Sequence, residues 1–212
     1  MATRNTGRAA RQWSSTEQTR AQFLDAARVV FARRGFAEAS VSEVVEQAES
    51  SVGSLYHHFG GKAELFTALW ERYRDEQHAA AAAAVTAAGA GGVTEPFALF
   101  EAGARACLQA AWGDRDMVKL CYDGDSPPGF QQLVRASGKA WVRGNLRLLG
   151  ADHSPVDRVL VTLLTSFLGD ARREIASARS AEEARALVET MMSVLTRLRS
   201  VLAEDLLAEV AG

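Results

Sequence analysis

Two cysteines in 212 residues, Cys107 and Cys121, are too few for a disulfide framework. Their apolar neighbours point to buried, inert thiols, with a redox-responsive pair as the alternative reading. Long apolar runs are missing as well. No stretch approaches the ~20 residues that span a bilayer, and the N-terminus lacks the apolar core of a signal peptide, so the expected location is the cytoplasm. Charge of one sign is not in excess: 24 Lys and Arg stand against 26 Asp and Glu, a net charge of -2, so composition alone does not advertise nucleic-acid binding. The catalytic signatures expected of a helical chain are also lacking. No Glu has a His three residues later, as a carboxylate-bridged metal pair in a bundle would need. There is no His-Glu-x-x-His zinc motif and no phosphate loop ending in Gly-Lys-Ser/Thr. The histidines are scattered, and adjacent His57 and His58 diverge by about 100° on a helix, so they do not readily share an ion. The expectation is a non-enzyme with no metal and no cofactor.

What is present is helical patterning. Hydrophobic residues make up 48% and charged residues 24%, a soluble globular balance, and no internal repeat is evident. The most informative stretch runs from Ser40 to Lys62. Ser40-Val41-Ser42-Glu43 is a capping box, so a helix starts at Val41, with Val41, Val44, Val45 and Ala48 on its apolar face. Glu49-Ser50-Ser51 is a cluster of turn formers, and Ser51 caps a second helix from Val52 to Phe59. Two helices joined this tightly read as helix-turn-helix. Leu55 and Phe59 anchor the second one, leaving Val52, Gly53, Ser54, Tyr56 and His57 on or near its outer side. Gly53 costs a helix about 1 kcal/mol relative to Ala, so its use is to let a ligand approach the backbone closely. Gly60-Gly61 breaks the chain, and Lys62 opens the next helix at an end suited to phosphate. The plain alternative is two packed helices with Tyr56 and His57 on an ordinary surface.

The run Ala48-Glu49-Ser50-Ser51-Val52-Gly53-Ser54-Leu55-Tyr56-His57-His58-Phe59, followed by Lys62 and Leu65, resembles the tetracycline-repressor (TetR) family of bacterial transcriptional regulators. That resemblance implies that Val52, Gly53 and Ser54 face the major groove of double-stranded DNA, and that Tyr56, His57 and Lys62 hold phosphates. Ser42 and Ser51 complete the expected contact set. Three positions depart from the family pattern. Glu49 stands where Gly is usual at the turn, Val52 where a Lys or other polar residue is usual, and Ser42 where many relatives carry a basic group.

Around this head, residues 1–13 read as a disordered basic arm, either a minor-groove reader or a solubilising tail. A bracing helix starts near Ser14 or Ser15 and closes at Gly35. The head is expected to span 14–61, and 62–212 to form an effector-binding and dimerisation domain. The expected fold is all-α, with about nine helices. Trp70, Tyr73, Phe100, Ala104, Cys107, Tyr122, Phe130 and Trp141 mix large rings with small residues on neighbouring helices. Such a mixture fits either a filled core or a cavity for an apolar or aromatic effector, and the cavity is what the resemblance implies.

The last two helices, opened by Ser154-Pro155 and Ser180, carry more apolar surface than one neighbour buries. Leu160, Leu164, Phe167, Val188, Met191, Leu195, Leu198 and Leu202 are the expected interface of a homodimer, the four-helix contact that the resemblance implies. The function implied is a ligand-responsive repressor released from a near-palindromic operator by a small molecule. The rival reading is an all-α small-molecule-binding homodimer without sequence-specific DNA activity.

Overall fold

The computed structural model describes residues 6–122, 124–151 and 154–209, with side chains from residue 16 to residue 199. Among the described residues there are nine α-helices and no strand: α1 (Thr6–Glu38), α2 (Val41–Gln47), α3 (Val52–Phe59), α4 (Lys62–Ala90), α5 (Pro96–Ala110), α6 (Arg115–Tyr122), α7 (Phe130–Leu148), α8 (Pro155–Ala176) and α9 (Ala181–Glu209).

Helix α1 reaches back to Thr6, ahead of the start expected near Ser14. Ala9, Ala10, Arg8 and Arg11 are good helix formers, and extending an existing helix costs far less than nucleating one. The arm's first five residues, Arg4 among them, lie outside the described part. At the other end α1 turns at Gly35, whose φ of 78° and ψ of 174° belong to a region open essentially to glycine. A Cβ there would also meet the Asp125 carboxylate at 2.8 Å.

The caps form as the side-chain chemistry dictates. Glu43 N donates to Ser40 Oγ at 3.2 Å while Ser40 N donates back to the Glu43 carboxylate at 3.0 Å. Ser51 accepts from Ser54 N, Ser154 from Asp157 N and Ser180 from Glu183 N. Helix α5 is capped by the Glu95 carboxylate, which takes both Phe97 N and Ala98 N.

Two apolar clusters organise the packing. The first joins Phe23, Phe31, Val44 and Leu55 of the head to Leu65, Phe66 and Trp70 of α4, Met117 and Cys121 of α6, and Phe130 of α7. It runs straight through the Gly60-Gly61 break, so the head and the first turns of α4 share one core. The second joins Phe100, Ala104 and Leu108 of α5 to Leu164, Leu168 and Ile175 of α8 and Val188, Met192 and Leu195 of α9.

That second cluster corrects part of the expected dimer interface. Leu164, Val188 and Leu195 are buried inside their own subunit, because α5 already covers that side of the α8–α9 pair. The apolar residues left in solvent are Val156, Val159 and Leu163 on α8, with Val194 and Leu198 on α9. Leu160, Phe167 and Met191 are half-buried beside them, and the Leu202 side chain lies outside the described part. Both thiols are buried, and burial raises each pKa, that of Cys121 to about 12.

Candidate nucleic-acid interface and ligand cavity

The α2–α3 joint positions the outer face of the head. Ser50 N bonds to Val45 O and Glu49 N to Glu46 O, closing α2 tightly enough that Glu49 takes a left-handed φ of 49°. Glycine would accept this conformation without strain, whereas a side chain costs about 1–2 kcal/mol. From this joint α3 is fixed by a single deep anchor: Leu55 is 0% exposed, while Val52 is 46% and Tyr56 51% exposed. His57, Gly53, Ser51 and Ser42 are exposed as well, and Ser54 is half-buried. A Cβ on Gly53 would meet no protein atom within 4 Å, so nothing inside the chain requires glycine there. His58 turns inward against Phe23, with ring centroids 6.1 Å apart, and burial lowers its pKa.

Lys62 departs from its expected role. Its ammonium donates to Phe36 O at 2.8 Å, Ala39 O at 2.9 Å and Ala37 O at 3.0 Å, and it sits 4.6 Å from the Phe36 ring centroid. An ammonium has three protons, and all three are spent on the carbonyls that close α1. The phosphate contact expected of Lys62 is therefore corrected: its side chain holds the α1–α2 elbow. The motif alone gave no sign of this, because those carbonyls are 23 to 26 residues away in sequence.

The same elbow is held from its other side. Asp125, in the loop after α6, accepts from Phe36 N at 2.9 Å and also from Ala37 N. A second fastening lies further along α1. Arg28 grips Asp116 through two nitrogens, each at 2.7 Å, and reaches Asp114 at 3.1 Å. Burial pushes the Asp116 carboxyl up, but the bonds and charge of Arg28 outweigh it and leave its pKa below the ordinary value. Gln77 of α4 donates to the other Asp114 oxygen at 2.8 Å. Head and second layer are thus joined by a polar chain from α1 to Gln77.

Gln77 also lies on the wall of a cavity of about 800 Å³ between α4, α5, α6, α7 and α8. Of the expected ligand residues, Trp70, Tyr73, Cys107, Tyr122 and Trp141 line it. Phe100, Ala104 and Phe130 do not, and those three expectations are corrected. Phe100 and Ala104 fill the core against α8 and α9, and the Phe130 ring packs edge-on against Phe66 and Trp70 at 5.0 and 5.4 Å. Gln77, His78, Arg172 and the basic residues of α7 also line the cavity and were not among the expected residues, because ring spacing along a helix does not mark which polar groups face inward. Burial and the neighbouring Arg74 lower the His78 pKa, and its ring lies 4.5 Å from that of Trp141. No helix is long and apolar enough to cross a membrane, and no cluster of metal-ligating side chains occurs, among the described residues.

A capped helix pair with an exposed second helix, set on a helical layer that encloses a cavity, defines a two-layer all-α protein with a helix-turn-helix head. Residues 23–69 match the family described as bacterial regulatory proteins, tetR family. The HTH-type transcriptional regulator TtgR of Pseudomonas putida is 42% identical over 53 residues, 25% of this chain and 25% of that one. The HTH-type transcriptional activator FasR of Mycolicibacterium smegmatis is 39% identical over 59 residues, 28% of this chain and 27% of that one. The match therefore spans about a quarter of the length of these curated relatives. A TetR-like transcriptional regulator from Rhodococcus sp. RHA1 superposes with a TM-score of 0.63 at 25% identity, over 86% of this chain and 94% of that one. The head of the chain is thus similar to the DNA-binding region of TetR-family regulators, and the fold of the whole to that of a TetR-like regulator.

Proposed function

We propose that the protein is a ligand-responsive, DNA-binding transcriptional regulator, acting as a homodimeric repressor on a near-palindromic operator. The observation that carries this reading is the exposure of Val52, Gly53, Tyr56 and His57 on a helix whose opposite side is anchored by Leu55 and Phe59. Val52 meets bases through apolar contact, as with a thymine methyl, and Ser54 through a hydrogen bond, while Tyr56, His57 and the free amides at the start of α3 meet phosphate. A two-fold dimer sets two such helices in successive major grooves about 34 Å apart.

The dimer forms through the apolar stripe of Val156, Val159 and Leu163, continued by Val194 and Leu198, which a second copy covers. A ligand in the 800 Å³ cavity shifts α4 and α6, and through Asp114, Asp116 and Asp125 it shifts α1 and the spacing of the heads. Carrying the population from almost wholly DNA-competent to almost wholly released takes about 5.5 kcal/mol of differential affinity, so the ligand must contact the two arrangements very differently.

The test is fluorescence anisotropy of the full chain against fragments from beside its own gene. Binding should be sequence-selective and weaken with salt. Tyr56→Phe should weaken it on every sequence, and Ser54→Ala should change base preference. Equal affinity for scrambled DNA would favour a ligand-binding homodimer without operator recognition. A promoter fusion read with and without the gene separates repression from activation.

A further inference from the structure

The chemistry of the cavity wall goes beyond an apolar or aromatic guest. Trp70, Tyr73, Tyr122 and Trp141 supply ring surface, but the polar residues facing the same space are unbalanced in charge. The lining includes Arg74, Arg135, Lys139, Arg143, Arg158 and Arg172, and it includes no Asp or Glu. Arg74 has a partner in Asp75 at 2.8 Å. Arg135, Lys139 and Arg143 have no carboxylate within ion-pair distance among the described residues, and all three are exposed at the rim.

These three lie at successive four-residue steps and so share one face of α7, where like charges repel along the helix. No acid relieves them: between Asp125 and Asp152 the sequence has four basic residues and no Asp or Glu. Nothing in the fold accounts for this stripe. Deeper in, two polar atoms also lack partners. Gln77 is 5% exposed and its Oε1 accepts from no group, and Arg172 Nε, likewise buried, donates to none. Buried polar atoms without partners are costly in a folded protein, and here both belong to residues lining the one space.

Taking the cavity as the effector site proposed above, we infer that its ligand is an amphipathic organic anion. The apolar body lies among the rings of α4, α6 and α7. The carboxylate or phosphate sits among Arg135, Lys139 and Arg143, and a hydroxyl or carbonyl on the body serves Gln77 Oε1 or Arg172 Nε. Unpaired, weakly hydrated guanidinium groups at the mouth of a low-dielectric cleft favour an anion over its neutral counterpart with the same carbon skeleton.

The experiment displaces the uncharged fluorophore N-phenyl-1-naphthylamine from the full chain with dodecanoate, dodecyl phosphate and dodecan-1-ol, and repeats each titration by calorimetry. At least one anion should compete at about tenfold lower concentration than the alcohol, the size of one charge-assisted contact. Which anion leads distinguishes a carboxylate from a phosphate ligand. In Lys139→Gln/Arg143→Gln that advantage should fall to near unity, whereas Lys139→Arg should keep it. Equal competition by alcohol and anions overturns the inference and leaves the effector cavity standing. An advantage that survives the double substitution overturns the assignment to α7. Failure of the fluorophore and all three competitors to bind overturns the cavity reading itself.

Discussion

At the scale of single residues, Glu49 and Lys62 mark where side-chain identity and structural role part company. Glu49 holds a left-handed turn with a side chain. Replacing it by Gly removes about 1–2 kcal/mol of steric cost and adds roughly 0.5–1 kcal/mol of unfolded-state entropy, so Glu49→Gly should stabilise the protein by about 0.5 kcal/mol. Chemical denaturation at fixed pH reads this out, and a loss of stability would mean that the Glu49 side chain makes a contact worth more than the strain. The joint itself was legible in the sequence, because Ser40, Glu43 and Ser51 cap through neighbours three residues away. The work of Lys62 was not, because its partners are carbonyls at the end of α1 and just beyond it, and no local pattern records which distant carbonyls a fold leaves open.

At the scale of elements, the meeting of α1 with α6 decides how the head is carried. Asp116 sits under Arg28 with its pKa below the ordinary 3.8, so the unfolded chain takes up its proton first as pH falls. The stability from this pair is present above pH 3.8 and is lost as pH drops through the lower folded-state value. Thermal melts between about pH 3 and pH 6 should show a shallower acid limb for Asp116→Asn than for the native chain. An unchanged limb would place the acid sensitivity elsewhere. Asp125 is the second fastening. Losing its bonds to Phe36 N and Ala37 N should cost about 1 kcal/mol, comparable to losing a helix cap, and Asp125→Ala should weaken the coupling between ligand and DNA more than either binding alone. Ligand titrations with and without operator measure that coupling, and full coupling in the variant would move the transmission route to another contact. Helix periodicity located α4 to α9, but it did not reveal which face of α8 and α9 meets α5. That is why Leu164, Val188 and Leu195 read as interface and proved to be interior.

At the scale of the whole molecule, the proposed assembly rests on the exposed stripe of α8 and α9. Leu163 is 61% and Val159 58% exposed, large values for aliphatic side chains on a long helix. Val159→Glu/Leu163→Glu should turn a dimer into a monomer in sedimentation velocity, with little change in the melting of the head. Operator affinity should fall by orders of magnitude, because one α3 reads few base pairs. A double variant that still sediments as a dimer would move the interface off this stripe.

The way Lys62 is used separates two responses that are often confounded. Its ammonium is bound to peptide carbonyls in a partly buried pocket, not to a carboxylate, so added ions compete for it only weakly. Electrolyte should therefore loosen the grip on the nucleic-acid backbone while the elbow keeps its angle. A metabolite acting through the second layer should do the reverse, tilting a stiff head whose charges are still in place.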